Sequence, residues 1–357
     1  KSIPLEGKPI RRMVTANLRD CSGCERKYAE EGKGKELEYI NSMSSYLCPE
    51  CFVNIGACDD CGQMSMGECR GCENHNKTAL HSWGYNPPFW KYGRYDGKGV
   101  KYTQNPKNKT EYLQGLEVEF EFPNGEGLTD KSRELQALMK SDYVYFTTDS
   151  SLANGIELHT QPATLEAVKR IQWDLMYKTD GACFRSSRNG LHVHTNREAY
   201  KPLHMGKIAK FHRKCTGLTM AIADRVNAQQ FNSYARFYTS SLLKIERQAV
   251  ADAKRGDKYF KTRLGDRTDA INCTKSNTIE FRWGGGCETK QDLFIKLEYI
   301  DAVFKYTQNC SNLNLNGKAF GEWVGSEKTY PNLVQWLNSK TGIQAVKFSG
   351  SKPEQFR

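Results

Sequence analysis

No run of apolar residues in this chain is long enough to cross a bilayer, and no signal peptide is visible, so neither a membrane-spanning nor an exported protein is expected. The chain has 357 residues and opens on Lys1 rather than Met, which leaves room for a processed or trimmed start. Acidic residues are scarce in one stretch. Residues 197–263 carry 15 Lys or Arg and 5 Asp or Glu, whereas residues 1–80 carry 11 and 12. Most of the net charge of +11 therefore belongs to the middle of the chain. That suits a phosphate-bearing or acidic ligand, or nucleic acid, and a solvated basic helix face would read the same.

Cysteine is what the chain does not lack. Of 13 cysteines, eight form four C-x-x-C pairs before residue 73: Cys21 with Cys24, Cys48 with Cys51, Cys58 with Cys61, and Cys69 with Cys72. Each pair presents two thiolates to one tetrahedral Zn²⁺, and two pairs complete a site, so two structural zinc ions are expected. Metal thiolates in place of disulfides point to a reducing compartment, the cytoplasm. Sequential pairing, with Cys21, Cys24, Cys48 and Cys51 on one ion and Cys58, Cys61, Cys69 and Cys72 on the other, needs the fewest crossings; a cross-braced pairing is the alternative. Eight thiolates and two zinc ions make the already acidic module more negative, which is wrong for gripping phosphates. Protein docking or support of the next domain suits it better than nucleic acid.

The sequence divides into a zinc module over 1–78, an irregular aromatic, Gly and Pro-rich connector over 79–111, a large domain over 112–310 and a helical extension over 311–357. The large domain opens on Gly115–Phe122, GLEVEFEF. Alternation puts Glu117, Glu119 and Glu121 on one face of a strand, with Leu116, Val118, Phe120 and Phe122 on the other. Carboxylates crowded on one face repel, and divalent cations are the simplest remedy. Similar polar faces recur. Asp149 precedes a turn and Glu157 follows it in DSSLANGIELHTQP, His192 and His194 alternate in GLHVHT, and Glu280 and Arg282 alternate in TIEFRW. Such an interior is expensive unless metal and substrate neutralise it. Helices are expected over 129–141, 164–178, 198–225 and 240–255, from a Thr289 cap to about Gln308, and over 331–340.

The order GLEVEFE, DSSLANGIELHTQP, GLHVH, DRTDAIN and TIEFRWGGG resembles the amidoligase branch of the glutamine synthetase and glutamate–cysteine ligase superfamily, over about residues 80–310. The families of that group carry G-x-E-x-E, D-G-S-L…G-x-E, G-x-H-x-H, R-Y-x-A-x-N and T-x-E-F-R in the same order. The resemblance implies an α+β fold in which an antiparallel sheet curves into a half-barrel flanked by helices. It also implies an ATP-dependent carboxylate–amine ligase that works through an acyl phosphate with two Mg²⁺ ions. By position, Glu119, Asp149 and Glu157 would hold the acceptor-side metal, and Glu117, His192 and Glu280 the metal that bridges the ATP phosphates. Arg282 would neutralise the transferred phosphoryl, Arg267 and Asn272 would meet phosphates, and His194 would orient substrate. The chain departs from the family at Ser150, at Thr268–Asp269 and after Arg282, where WGGGCET leaves Thr289 as the only equivalent of a nucleotide-loop threonine. A guanidino-kinase-type phosphotransferase is the alternative enzyme. A zinc-containing nucleic-acid or protein-binding factor on a retired ligase scaffold is the alternative without catalysis.

Overall fold

The computed structural model describes residues 80–82, 91–103, 110–123, 127–139, 143–227, 233 and 235–347, together with six short strands nearer the N-terminus. The chain divides into two compact units, 1–78 with 87–89, and 79–86 with 90–357.

The first unit contains three antiparallel hairpins. Strand β1 (Leu18–Asp20) pairs with β2 (Lys27–Ala29), β3 (Glu38–Ile40) with β4 (Ser45–Leu47), and β5 (Ile55–Ala57) with β6 (Met64–Met66). In chain order, the first C-x-x-C pair falls between β1 and β2, the second between β4 and β5, the third between β5 and β6, and the fourth after β6. The expected zinc ligands Cys21, Cys24, Cys48, Cys51, Cys58, Cys61, Cys69 and Cys72, and with them the pairing into two sites, lie outside the described residues.

The second unit is mixed helix and sheet, built on a curved antiparallel sheet of six strands. Its strands are β9 (Gln114–Glu121), β10 (Val144–Thr148), β11 (Gly155–Thr160), β12 (Gly190–Asn196), β13 (Ile271–Asn272) and β14 (Thr278–Gly285), in the order β10-β11-β9-β12-β14-β13. The alternation expected of GLEVEFEF holds. Leu116, Val118 and Phe120 are buried, as are Ile156 and Leu158 on β11, Leu191 and Val193 on β12, and Ile279, Phe281 and Trp283 on β14. These apolar side chains share one core with the helices.

The helices are α1 (Leu128–Met139), α2 (Leu165–Val168), α3 (Trp173–Met176), α4 (Pro202–Lys214), α5 (Thr216–Ala223), α6 (Thr239–Lys254), α7 (Lys290–Asn309), α8 (Gly317–Ser326), α9 (Pro331–Leu337) and α10 (Lys340–Lys347). No helix of the described residues is long and apolar enough to cross a membrane.

Four expectations need correction. The connector expected to be irregular contains a hairpin, β7 (Tyr92–Tyr95) with β8 (Val100–Thr103). Its loop is the four residues Asp96-Gly97-Lys98-Gly99, with Gly97 at φ +90° and the Asp96 carboxylate accepting from the Lys98 and Gly99 amides at 3.0 and 2.9 Å. The helix expected over 164–178 breaks into α2 and α3. The Trp173 indole donates to the Val168 carbonyl at 2.8 Å, and the Ile171 and Arg170 amides close tighter turns onto Val168 and Ala167. The helix expected over 198–225 is likewise interrupted. Pro202 starts α4, and the Thr216 hydroxyl donates to the carbonyls of His212 and Arg213 at 2.8 and 3.2 Å where the break before α5 falls. Finally, the C-terminal stretch holds three helices rather than one, the first capped by Asn316, whose side chain accepts from Ala319 N at 2.9 Å.

Candidate metal centre

The face of the sheet opposite the core is polar across five strands. Register sets its geometry. On β9, Glu117 stands directly opposite His159 of β11 on one side and His192 of β12 on the other, and Glu119 stands opposite Glu157. On the far side of β12, His194 faces Glu280 of β14, which in turn faces Asn272 of β13. Residues from positions 117 to 280 thus meet because the strands are neighbours, not because the sequence brings them close.

A β-bulge sharpens the arrangement. Leu191 of β12 pairs with Gly284 and Val193 pairs with Phe281, so Arg282 and Trp283 together oppose the single residue His192. Trp283 is buried in the core, and Arg282 turns to the polar face, where its guanidinium is hydrogen-bonded to Glu280. The bulge leaves carbonyls without ladder partners, and buried Arg225 supplies donors: its Nε reaches Trp283 O at 3.1 Å and its Nη2 reaches Arg282 O at 2.6 Å. Glycine keeps the neighbourhood open. A Cβ on Gly285 would sit 2.9 Å from Asp224 O and 3.0 Å from Ala223 O, and one on Gly190 would sit 3.0 Å from Glu119 Oε2 and 3.4 Å from His192 Nε2.

Two groups of potential ligands result, each with its donor atoms within 4.8 Å of one another: Glu117, His192 and Glu280, and Glu119, Glu157 and His192. His192 belongs to both. Its Nδ1 lies 3.0 Å from Glu117 Oε2, and its Nε2 lies 3.8 Å from Glu119 Oε1. His194 Nε2 lies 2.9 Å from Glu117 Oε1, and Asn272 donates to Glu280 Oε2 at 2.6 Å. Asp149 is in neither group. It is half-buried, accepts from the Ser151 amide at 2.7 Å, and its charge acts on both Glu119 and Glu157. Arg267 is exposed on the loop before β13, and no hydrogen bond or ion pair joins it to either group. Thr289 acts as a helix cap: its hydroxyl accepts from Asp292 N, and the Asp292 carboxylate accepts from Thr289 N.

The electrostatics show which groups are strained. Burial pushes the Glu119 carboxyl up to about 7, with Glu157 and Asp149 adding to the rise against the pull of His192. Glu157 is driven well above the carboxylate range by burial and by Glu117 and Asp149. Glu117 is half-buried, yet His194 and His192 outweigh its loss of solvent and hold it well below the usual range. Glu280 is lowered, its burial overcome by His194 and Arg282. His194 rises to about 9, because Glu117 and Glu280 outweigh its burial. Buried carboxylates that resist ionisation beside one another form a donor set that a divalent cation would relieve, and the space over Gly190 adjoins both Glu119 and His192.

Sequence reasoning missed three participants. His159 alternates with Glu157 in GIELHT and lies 3.1 Å from Glu157 Oε2, a signal that was there to read. Arg225 carries no local motif. Glu121, given no ligand role, accepts from Ala153 N at 2.9 Å and Ser186 Oγ at 2.8 Å, and so ties two loops to the end of β9. Neither a scan of family models nor a search of curated proteins returns a match for this chain.

Proposed function

We propose that the chain is an ATP-dependent carboxylate–amine ligase. One observation carries the reading: adjacent antiparallel strands gather Glu117, His192 and Glu280 beside Glu119, Glu157 and His192, with the Arg282 guanidinium hydrogen-bonded at the edge. Both ligand groups fit divalent cations, for which the resemblance names Mg²⁺. Glu117, His192 and Glu280 would hold the ion on the nucleotide side, and Glu119 and Glu157, with the nearby charge of Asp149, the ion on the acceptor side. Bound there, such ions neutralise phosphate charge and orient the reacting oxygens.

The chain's own residues do the rest. Arg282, kept charged by Glu280, offers donors to a phosphoryl group passing from ATP to a substrate carboxylate. An amine then displaces phosphate from the acyl carbon and gives up a proton, leaving an amide or isopeptide bond. Asn272 fixes Glu280, and His194 fixes Glu117. The carboxylate and amine substrates are small molecules, peptides or protein side chains. The N-terminal module would hold two structural zinc ions, one on Cys21, Cys24, Cys48 and Cys51 and the other on Cys58, Cys61, Cys69 and Cys72, and dock a protein substrate or partner.

The structure also bears on the nucleic-acid reading. Much of the positive charge in 197–263 is engaged internally. Arg213 pairs with Glu246, Arg236 with Asp266, and Arg255 with Asp252 and Asp257, while Arg197 and Arg225 donate to carbonyls. A phosphate-gripping surface there has correspondingly less to work with.

The test is phosphate release from ATP with Mg²⁺ and pooled carboxylates and amines, with the product identified by mass. Metal-dependent turnover with an amide product is expected, and Glu117→Gln or Glu280→Gln should lower it by about a hundredfold or more. Turnover indifferent to both substitutions would remove the site assignment. A phosphorylated product without an amide would favour a phosphotransferase, and no turnover under any condition a binding factor.

A further inference from the structure

The positive charge of 197–263 is not all spent inside the fold, and much of what remains lies on one pair of helices. Lys201 and α4 together carry five Lys or Arg and no Asp or Glu, and α6 carries three against two. Neither acid of α6 is free. Glu246 is taken by Arg213, and Asp252 is fully buried, accepting from Gln248, Thr262 and Arg255. Lys214, Arg247 and Lys254 are exposed, and no ion pair joins them to another described residue.

The two helices run in opposite directions with a close seam between them. A Cβ on Gly206 of α4 would sit 3.1 Å from that of Ala249, and further along α4 Arg213 Nε meets Glu246 Oε1 at 2.6 Å. Helical spacing puts Leu203, Lys210 and Lys214 on the solvent side of the seam along α4, and Val250, Arg247 and Lys254 on that side along α6. Gly206 and Ala249 leave the seam low, so these longer side chains rim a shallow groove.

The groove is apolar as well as basic. Six large hydrophobic side chains are exposed among the described residues, and three of them border α4. Leu203 is 57% exposed and Val250 45%, facing each other across the seam. Leu313, at 88%, lies on the other flank of α4, on the loop that Lys207 and Lys210 hold through Cys310 O at 2.8 Å and Asn312 Oδ1 at 3.4 Å. One exposed leucine needs no explanation, but a cluster ringed by bases marks an interaction surface.

Two requirements define the occupant. A phosphate backbone would meet the bases and leave the apolar side chains in water. A neutral apolar partner would cover those side chains and strand the charges. A helix with an apolar stripe flanked by carboxylates satisfies both, and the 13 residues of α4 give it a bed about 20 Å long. We propose that the α4–α6 face docks an acidic amphipathic helix of a partner protein. Its apolar stripe lies over Leu203 and Val250, and its carboxylates pair with Lys214, Arg247 and Lys254. Docking there needs neither metal nor ATP.

The probe is a fluorescein-labelled peptide of about 14 residues, made of leucine and glutamate with the leucines at helical spacing on one side. Its controls are the same residues shuffled so that no helical face is apolar, and a DNA duplex of similar length. Fluorescence anisotropy is read against the full chain with its zinc retained. The helical peptide should bind at least about tenfold tighter than either control, and more weakly as salt rises. Leu203→Ser with Val250→Ser should weaken it by about tenfold, and so should Lys214→Glu with Arg247→Glu. No binding, equal binding of the shuffled peptide, or binding indifferent to either pair of substitutions would overturn the proposal. Preference for the duplex would overturn it in favour of nucleic acid. All four substituted side chains are exposed; should one double variant still fail to fold, the other decides, and failing both, the order of the three probes on the unmutated protein does. Peptide binding without ATP turnover would defeat the ligase reading and leave this one standing, and turnover without peptide binding would do the reverse.

Discussion

Glu117 and Glu119 are two residues apart on one strand, face the same way, and yet are driven in opposite directions by their neighbours. Glu117 sits between His192 and His194 and ionises readily, whereas Glu119 is buried beside Glu157 and the charge of Asp149 and holds its proton up to about 7. The consequence for stability has a definite sign. Glu119 ordinarily titrates at 4.5, so between 4.5 and about 7 the metal-free folded state holds a proton that the unfolded state has lost. Stability contributed by that proton is present below 4.5 and lost as pH rises through 7. At pH 8 the ionised, buried Glu119 costs about 3 kcal/mol, so Glu119→Gln should raise the unfolding free energy of the metal-free protein by about that much while weakening divalent-ion binding at the group it shares with Glu157 and His192. Urea unfolding and metal titration on the same sample check both halves, and a destabilised Gln variant would refute the strain. In the unmutated protein, metal binding should release protons below pH 7, visible as calorimetric heats that depend on the buffer. Alternation in GLEVEFEF made the shared face legible from sequence. It could not show that Glu121 is taken up by Ala153 and Ser186, because those partners lie 32 and 65 residues away.

At the scale of elements, the pattern of apolar and polar residues located the central strands and the start of α7, and missed features that depend on partners elsewhere in the chain. The run 164–178 has helical spacing, but the Trp173 indole takes a carbonyl that a continuous helix would need. The bulge in β14 is equally hidden, since its sign is a register shift against β12 rather than a residue type. Arg225 holds that bulge by donating to the Arg282 and Trp283 carbonyls. Replacing it with Met removes donors from buried carbonyls, so Arg225→Met should cost about 1–3 kcal/mol of stability. It should also lower turnover beyond any loss of folded protein, because Arg282 loses its aim. Kinetics on protein shown to be folded separate the two effects, and unchanged turnover would mean that the bulge holds itself. The other end of this region gives a local test. Thr289 and Asp292 form a reciprocal cap on the 20-residue α7, so Thr289→Ala should cost about 1 kcal/mol in urea unfolding, with turnover preserved. A loss of nucleotide affinity in that variant would restore Thr289 to the phosphate loop.

For the large unit as a whole, buried groups far from the centre set the response to acid. Arg197 is almost fully buried and donates to the carbonyls of Phe260, Thr262, Cys273, Lys275 and Thr278, which pins the chain leading into β13 and β14. Its charge does not titrate in any working range, so this tie is indifferent to pH. Two histidines are not. His204 bonds to Phe304 O at 2.9 Å, and His212, beside Thr219, packs near Phe281, Trp283 and Tyr299 where helices meet the sheet. Burial lowers them from 6.5 to about 4 and about 3. Below 6.5 the unfolded chain binds two protons that the folded unit refuses, so stability is full above 6.5 and falls as pH drops towards 4. Each histidine should contribute a slope of about 1.4 kcal/mol per pH unit within that window. In the metal-free protein Glu119 works the other way between 4.5 and 7 and masks part of the loss, so the slope should be steeper in Glu119→Gln. His159, which burial lowers from 6.5 to about 4, adds an equal slope in the metal-free protein, so in that background His212→Gln, which can keep the hydrogen bond to Thr219, should remove about a third of the slope between pH 6.5 and 5, read from urea unfolding at fixed ionic strength. A slope that survives the substitution intact would place the acid sensitivity in the carboxylate cluster rather than in the buried histidines.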